Sequence, residues 1–255
     1  MLEINNLSIY KSRKSILENI SLKLEEGKIY AIAGPNGVGK STLLDCIFGL
    51  IKSENISFNK ETQKNLKKWQ ENIGYMLQHF HTHVDLSVLE VVLLGAYANL
   101  SLNIDKQIID EALGLLDRFA IANKANENIQ SLSGGQRQMV AFAQVLLKNP
   151  KILLLDEPVS ALDLKHQCIL LEALQKITKE RKLLSIVVLH DLNLASLFCD
   201  EVILLKDKKL FAKGDAKTIL TKDLIKNIYE VDSCIHKIND KNFAQILGSI
   251  TKKIN

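Results

Sequence analysis

The stretch KIYAIAGPNGVGKSTLLDCIFGL, residues 28–50, decides the fold. Its first six residues are apolar apart from Lys28 and read as a buried strand. The apolar positions after Lys40 recur with helical spacing and stop near Gly49. Between them, Gly34–Ser41 fits the G-x-x-x-x-G-K-S pattern, and it lies where that pattern must lie, after a strand and opening a helix. Glycines let the backbone of Gly34, Pro35, Asn36, Gly37, Val38 and Gly39 wrap a polyphosphate, with N–H groups at every residue but Pro35. The helix N-terminus adds a field that favours anions. In this reading Lys40 reaches the β- and γ-phosphates and the Ser41 hydroxyl ligates Mg²⁺.

Working outward, LEINNLSIY and ILENISLKLE precede this unit as β-rich runs, and NIGYMLQ follows it as a strand ending at Gln78. From about residue 84 to 149 the pattern turns helical, through VLEVVLLGAYANL, DKQIIDEALGLLDRFA and SLSGGQRQMVAFAQVLL, with Pro150 as the stop. KILLLDEP and LLSIVVLHD are then almost wholly apolar, as parallel strands covered on both faces are. The tail from AKTILTKDLIKNIYE onward reads as helical.

The polar residues at the ends of these strands carry the chemistry. ILLLDEP closes on two adjacent carboxylates, and successive strand residues face opposite ways. Asp156 is suited to hold Mg²⁺ and Glu157 to orient, or accept a proton from, an attacking water. His190 follows another strand and should emerge at the same edge, where open α/β sheets bind ligands, as a contact to the γ-phosphate or the water. The Gln78 amide can ligate Mg²⁺, hold the water, or sense the inserted helices.

A second glycine pair then needs a purpose. In LSGGQ, residues 132–136, the Ser133 hydroxyl with the Gly134 and Gly135 amides makes another anion site at a helix N-terminus. The same letters also spell a capped helix with Ser133 as N-cap. One nucleotide has one γ-phosphate, so two copies arranged head to tail, each P-loop facing the other's LSGGQ, give both glycine sites a use.

Composition narrows the class. The 255 residues carry a net charge of +4, too weak to point to nucleic acid, although lysine clusters such as KDKK at 206–209 suit a surface near anionic lipid. The four cysteines lack C-x-x-C spacing and are expected to be buried free thiols in a reducing compartment. The start has no secretory pattern, and the longest apolar run contains Glu90 and falls short of the ~20 residues a spanning helix needs, so a cytoplasmic protein is expected.

The ordered set GPNGVGKST, Gln78, LSGGQ, ILLLDEP, SALD and His190 resembles the nucleotide-binding subunit of ATP-binding cassette (ABC) transporters, over residues 2 to 235. The resemblance implies an α/β P-loop NTPase core, a RecA-like parallel sheet with an antiparallel β subdomain, formed by residues 1–78 and 150–215. It implies an inserted α-helical subdomain at 79–149 and a C-terminal helical extension at 216–255. Lys40, Ser41 and Thr42 then look like the phosphate and metal residues, with Gln78 and Asp156 beside Ser41 as metal residues. Glu157 looks like the catalytic glutamate and His190 the switch histidine; Gln136 completes the signature, and Asp163 looks like the residue that crosses to the partner's site. Tyr10 stands where the family places an aromatic under the adenine. Val159 departs from the family's usual threonine, away from the catalytic positions.

The implied cofactors are ATP and Mg²⁺. The implied partners are a second copy of the chain, integral membrane permease subunits and, indirectly, a substrate-binding protein, with the chain peripheral on the inner face of the cell membrane. DLKHQ, LHDLNLAS and the tail resemble the subfamily serving import of iron-siderophore complexes, haem or cobalamin. Another transport substrate, or a non-transport cassette such as an iron-sulfur assembly factor, is the competing reading. His79, His81 and His83 share a face if extended and suit a transition metal, or else belong to the loop that meets the membrane partner.

Overall fold

The computed structural model describes residues 1–78, 85–99 and 105–250. Its centre is a six-stranded sheet made of β3 (Ile29–Ala33), β6 (Ile73–Met76), β7 (Ile152–Asp156), β8 (Leu184–Val188), β9 (Glu201–Lys206) and β10 (Lys209–Asp215), in the order β10-β9-β3-β8-β7-β6. All neighbours pair in parallel except the hairpin of β9 and β10. β3, β7 and β8 are buried at every residue. Their alternation divides them between two cores: Ile29, Ala31, Leu153, Leu155 and Val187 face one, while Tyr30, Ile32, Leu154, Ile186 and Val188 face the other. Each buried Val, Leu or Ile side chain among them, fully removed from water, contributes ~1.5–3 kcal/mol.

A four-stranded antiparallel sheet closes one of these cores. Its order is β2-β1-β4-β5, from β1 (Leu2–Lys11), β2 (Lys14–Leu24), β4 (Ile56–Phe58) and β5 (Glu61–Thr62). The helix after the first glycine loop, α1 (Lys40–Phe48), lies in the same core through Leu43, Leu44, Cys46 and Ile47. Gly49 caps its end at φ 90, the left-handed cap that glycine adopts without cost. A short α2 (Leu66–Glu71) follows, with Trp69 Nε1 donating to the Ile47 carbonyl at 2.8 Å.

The other core holds the helical stretch: α3 (Val88–Leu93) running into a 3-10 turn, α4 (Lys106–Arg118) and α5 (Gly134–Leu147). α5 is central, with Phe142 against Phe119 at a ring-centroid distance of 5.1 Å. Its last turn is tied to the sheet where the Lys148 ammonium donates to the carbonyls of Gln70 and Ile73 at 2.7 and 2.8 Å. The second half of the chain adds α6 (Leu164–Arg181) and α7 (Leu192–Phe198).

Two expectations need correction, those for the tail and for the cysteines. Among the described residues, the tail after residue 216 is helical only in α8 (Lys222–Tyr229); it continues as a β-hairpin of β11 (Val231–Ile238) and β12 (Lys241–Ser249). The two-residue turn Asn239–Asp240 sits at φ 47 and 61, which matches the twist of the strands it joins. The KDKK cluster forms the tight turn between β9 and β10, and its Lys206 ammonium donates to the Asn227 carbonyl. Of the cysteines only Cys46 and Cys199 are buried, with burial pushing the Cys46 thiol up to about 12; Cys168 and Cys234 are exposed. Among the described residues no helix is long and apolar enough to cross a membrane.

Candidate functional site

Four adjacent strands, β3, β8, β7 and β6, end at one edge of the parallel sheet, and the segments that leave them carry the glycine loop, His190, Glu157 and Gln78. Sheet order therefore assembles residues spread over more than 150 positions. They line a cleft of about 870 Å³ together with Tyr10, Lys40, Ser41, Thr42 and Asp45.

The loop's geometry is forced by packing. Gly34 stands at φ 145, and a Cβ there would fall 2.2 Å from the Leu205 carbonyl oxygen; Gly39 stands at φ 108, with Leu17 Cδ2 at 2.6 Å from such a Cβ. Neither position admits a side chain. Gly39 is also the N-cap of α1 and offers no side-chain acceptor, so the amides of the first turn stay available to an anion. Asn36 and Gly37 face the cleft. The Val38 side chain packs into the core, and Pro35 and Val38 border a second cavity behind the loop, so Val38 meets the cleft only through its backbone while Pro35, without an N–H, shapes the turn and offers its carbonyl to Lys40.

Lys40 is 6% exposed, and its ammonium donates to the carbonyls of Gly34 and Pro35 at 2.9 and 3.0 Å. Burial pulls its pKa down, against the attraction of Glu157 and Asp156. Asp156, 4% exposed, is pushed above the ordinary aspartate value by burial, while a hydrogen bond from the Ser41 hydroxyl pulls it back. Its Oδ1 has no hydrogen-bond partner. A buried carboxylate oxygen left unpaired beside a serine hydroxyl and an exposed amide is a donor set of hard oxygens that fits a hydrated Mg²⁺.

Glu157 ends the strand differently from its neighbour. It is a non-glycine residue at φ 52, a conformation held at some cost. Its carbonyl accepts from the Ser160 amide at 3.3 Å, the Ser160 hydroxyl at 3.0 Å and Gln138 Nε2 at 3.1 Å. The carboxylate accepts from Gln78 Nε2 at 2.8 Å and from His190 Nε2. Three of the residues expected at the site thus touch one another. Tyr10, 68% exposed on β1, stands at the open side of the cleft with its ring free to receive a flat ligand.

The second glycine pair is elsewhere. Ser133 caps α5 by accepting from the Gln136 amide at 3.2 Å, and Gln136 Oε1 accepts from the Ser133 amide at 3.0 Å, a complete capping box. Among the described residues that line the cleft, none comes from this turn. Gly135 packs on the 157–163 loop, where an added Cβ would lie 3.1 Å from the Ala161 carbonyl oxygen, whereas one on Gly134 would meet nothing within 4 Å. Asp163, which closes that loop, is exposed and caps α6 by accepting from the His166 amide at 2.9 Å. His79, His81 and His83 lie outside the described residues.

Two side chains at the site lie outside every motif of the sequence. Asp45 lines the cleft one turn below Ser41 and accepts from the Tyr75 hydroxyl at 3.0 Å. Gln138, buried in α5, holds the Glu157 backbone. A polar amide inside the run QMVAFA, on the same helical face as Gly134 and Gly135, was the available signal for Gln138.

Residues 17–160 match the ABC transporter family model. A "Probable iron chelatin transport ATP-binding protein" of Helicobacter pylori is 38% identical, over 90% of this chain and 93% of that one. The fold superposes with a TM-score of 0.81 on a chain of a metal-chelate type ABC transporter in an inward-facing conformation, at 26% identity over 97% of this chain and 96% of the other. It also matches a dimeric ATP-binding cassette in a post-hydrolysis state bound to ADP and Pi, with a TM-score of 0.74 and 31% identity over 86% of this chain and 100% of that chain.

Proposed function

Because this chain belongs to the ABC transporter family, we propose that it is the ATP-hydrolysing subunit of an importer, which works as a head-to-tail pair and drives an iron chelate or related metal complex through a separate membrane permease. One observation carries the reading: Lys40, Gln78, Glu157 and His190 meet in one cleft while the capped tip of α5 does not line it. A second copy supplies the missing wall, each copy's Ser133, Gly134, Gly135 and Gln136 closing over the other's nucleotide, with Asp163 crossing beside them.

The chain's residues then divide the work. The adenine stacks on Tyr10, and the amides from Asn36 to Thr42 cradle the phosphates. Lys40 exchanges two backbone carbonyls for phosphate oxygens, which returns a half-desolvated cation to a strong partner. Ser41, Gln78 and Asp156 would hold Mg²⁺, which supplies charge neutralisation to the phosphates when bound. Glu157 turns from Gln78 and His190 to the water that attacks the γ-phosphorus in line, orienting it and taking its proton as ADP leaves. His190 steadies the γ-phosphate or that water. ATP favours the closed pair because it touches both copies, and hydrolysis removes the bridge.

The remaining partners follow from importer architecture: permease subunits above the chain, a substrate-binding protein beyond them, and a location on the inner face of the membrane. The deciding experiment uses Glu157→Gln. It should bind ATP, accumulate as a closed dimer by light scattering, and lose turnover ~10³-fold; turnover at the wild-type rate refutes the assignment. In the complex isolated with its permease, a binding protein loaded with an iron chelate should raise ATP turnover above that with the empty protein.

A further inference from the structure

Gln138 has no place in the chemistry above, yet it sits at a junction. It is 6% exposed on α5, four residues beyond Gly134 and so on the same helical face. Its Nε2 donates to the Glu157 carbonyl at 3.1 Å, and its Oε1, also buried, has no partner. Reversing the amide offers no remedy, because it would set the amide oxygen against the Glu157 carbonyl oxygen, acceptor against acceptor. An orphaned buried acceptor is a cost to folding, and a methionine of similar volume would fill the space without it. The Glu157 carbonyl would still hold two hydrogen bonds, from the Ser160 amide and hydroxyl. Stability therefore gives no reason for glutamine here.

The position does give a reason. The tip of α5 is fastened to the 157–163 loop at two points, by Gln138 to the Glu157 carbonyl and by the close approach of the Gly135 backbone to Ala161. The loop is braced from its far side, where Gln167 Nε2 donates to the Leu162 carbonyl at 3.1 Å. A movement of the tip is passed to Glu157, whose carboxylate serves the cleft of its own chain. We propose that Gln138 is a positioning residue that couples the two nucleotide sites: a nucleotide held by the tip of α5 in the partner's site helps to set, through this amide, the placement of Glu157 in the other. This rests on the head-to-tail pair proposed above, and it names the path by which one site informs the other.

The test is Gln138→Met in the full-length chain, with Gln138→Glu as a second variant that keeps the length but loses the donor when ionised. Thermal melting and the affinity of the monomer for a fluorescent ADP analogue should match wild type. kcat should fall about three- to tenfold, the weight of one neutral hydrogen bond, and the Hill coefficient for ATP should fall from above about 1 toward 1. A wild-type kcat and Hill coefficient in a folded Gln138→Met protein overturn the proposal, as does a lowered melting temperature with cooperativity intact, which marks a packing role alone. Dimer formation in Glu157→Gln separates the two ideas: if that variant stays monomeric with ATP while Gln138 is native, the paired arrangement itself falls; if the Gln138→Met, Glu157→Gln double variant still pairs, any loss of cooperativity belongs to the amide.

Discussion

Gly134→Ala should make the isolated chain more stable and the working pair inactive. Gly134 opens α5, its φ is not in the left-handed region, and a Cβ built on it meets nothing within 4 Å. Nothing in this chain therefore requires glycine there. Replacing glycine by alanine in a helix gains up to ~1 kcal/mol, which for a protein of this size raises the melting temperature by about 2–4 °C. The added methyl stands on the face the proposed pair presents to a phosphate, holding it off the first-turn amides. Loss of such donors costs ~10²-fold in rate. Calorimetry of the nucleotide-free chain, ADP binding by the monomer and steady-state hydrolysis give the three numbers. Stability unchanged or higher, binding unchanged and hydrolysis down by ~10² are expected. Full hydrolysis would refute the reasoning, because the open space beside Gly134 would then have no occupant. A lowered melting temperature would refute the geometry.

Other perturbations separate the roles of nearby residues. Gly34→Ala should destabilise the chain by ~3 kcal/mol or more, since its Cβ would collide with a backbone oxygen at a φ that alanine avoids; circular dichroism melts check this. Asp156 is ionised only above a pKa raised by burial, so Mg²⁺ affinity, followed calorimetrically with ADP present, should fall with decreasing pH before an exposed aspartate would lose its charge. The sign for stability is opposite: a raised folded-state pKa means that the stabilising protonated form is lost as pH rises, so Asp156→Asn should melt higher than wild type near neutral pH without metal and gain nothing from Mg²⁺. Tyr10→Ala should weaken nucleotide binding roughly tenfold, the weight of one stacked base, with no change in melting; unchanged binding would make Tyr10 an exposed strand residue and no more.

The readable parts of this protein are contiguous ones. The phosphate loop was visible because strand, glycine turn and helix follow within residues 28–50 and each glycine answers to a local backbone demand. The buried strands were visible because apolar side chains on both faces leave no alternation to misread. The terminal hairpin was not. α8 ends at Glu230 in a left-handed conformation that no glycine marks, and β11 mixes Ser, Cys, His and Lys with its apolar residues, so the helical reading ran on past its end.

The sequence by itself determined which polar residues stand at the strand ends and the local shape of each piece, since torsional preference and side-chain periodicity act over a few residues. Tertiary structure alone decided that Gln78, Glu157 and His190 touch, that Asp156 keeps an unpaired oxygen, that Gln138 grips the Glu157 backbone, and that the second glycine pair does not line the cleft of its own chain. Those outcomes depend on which strands lie side by side. Strand order is a long-range pairing among β3, β8, β7 and β6, set by the burial of all their faces at once and not by any residue's neighbours in the chain.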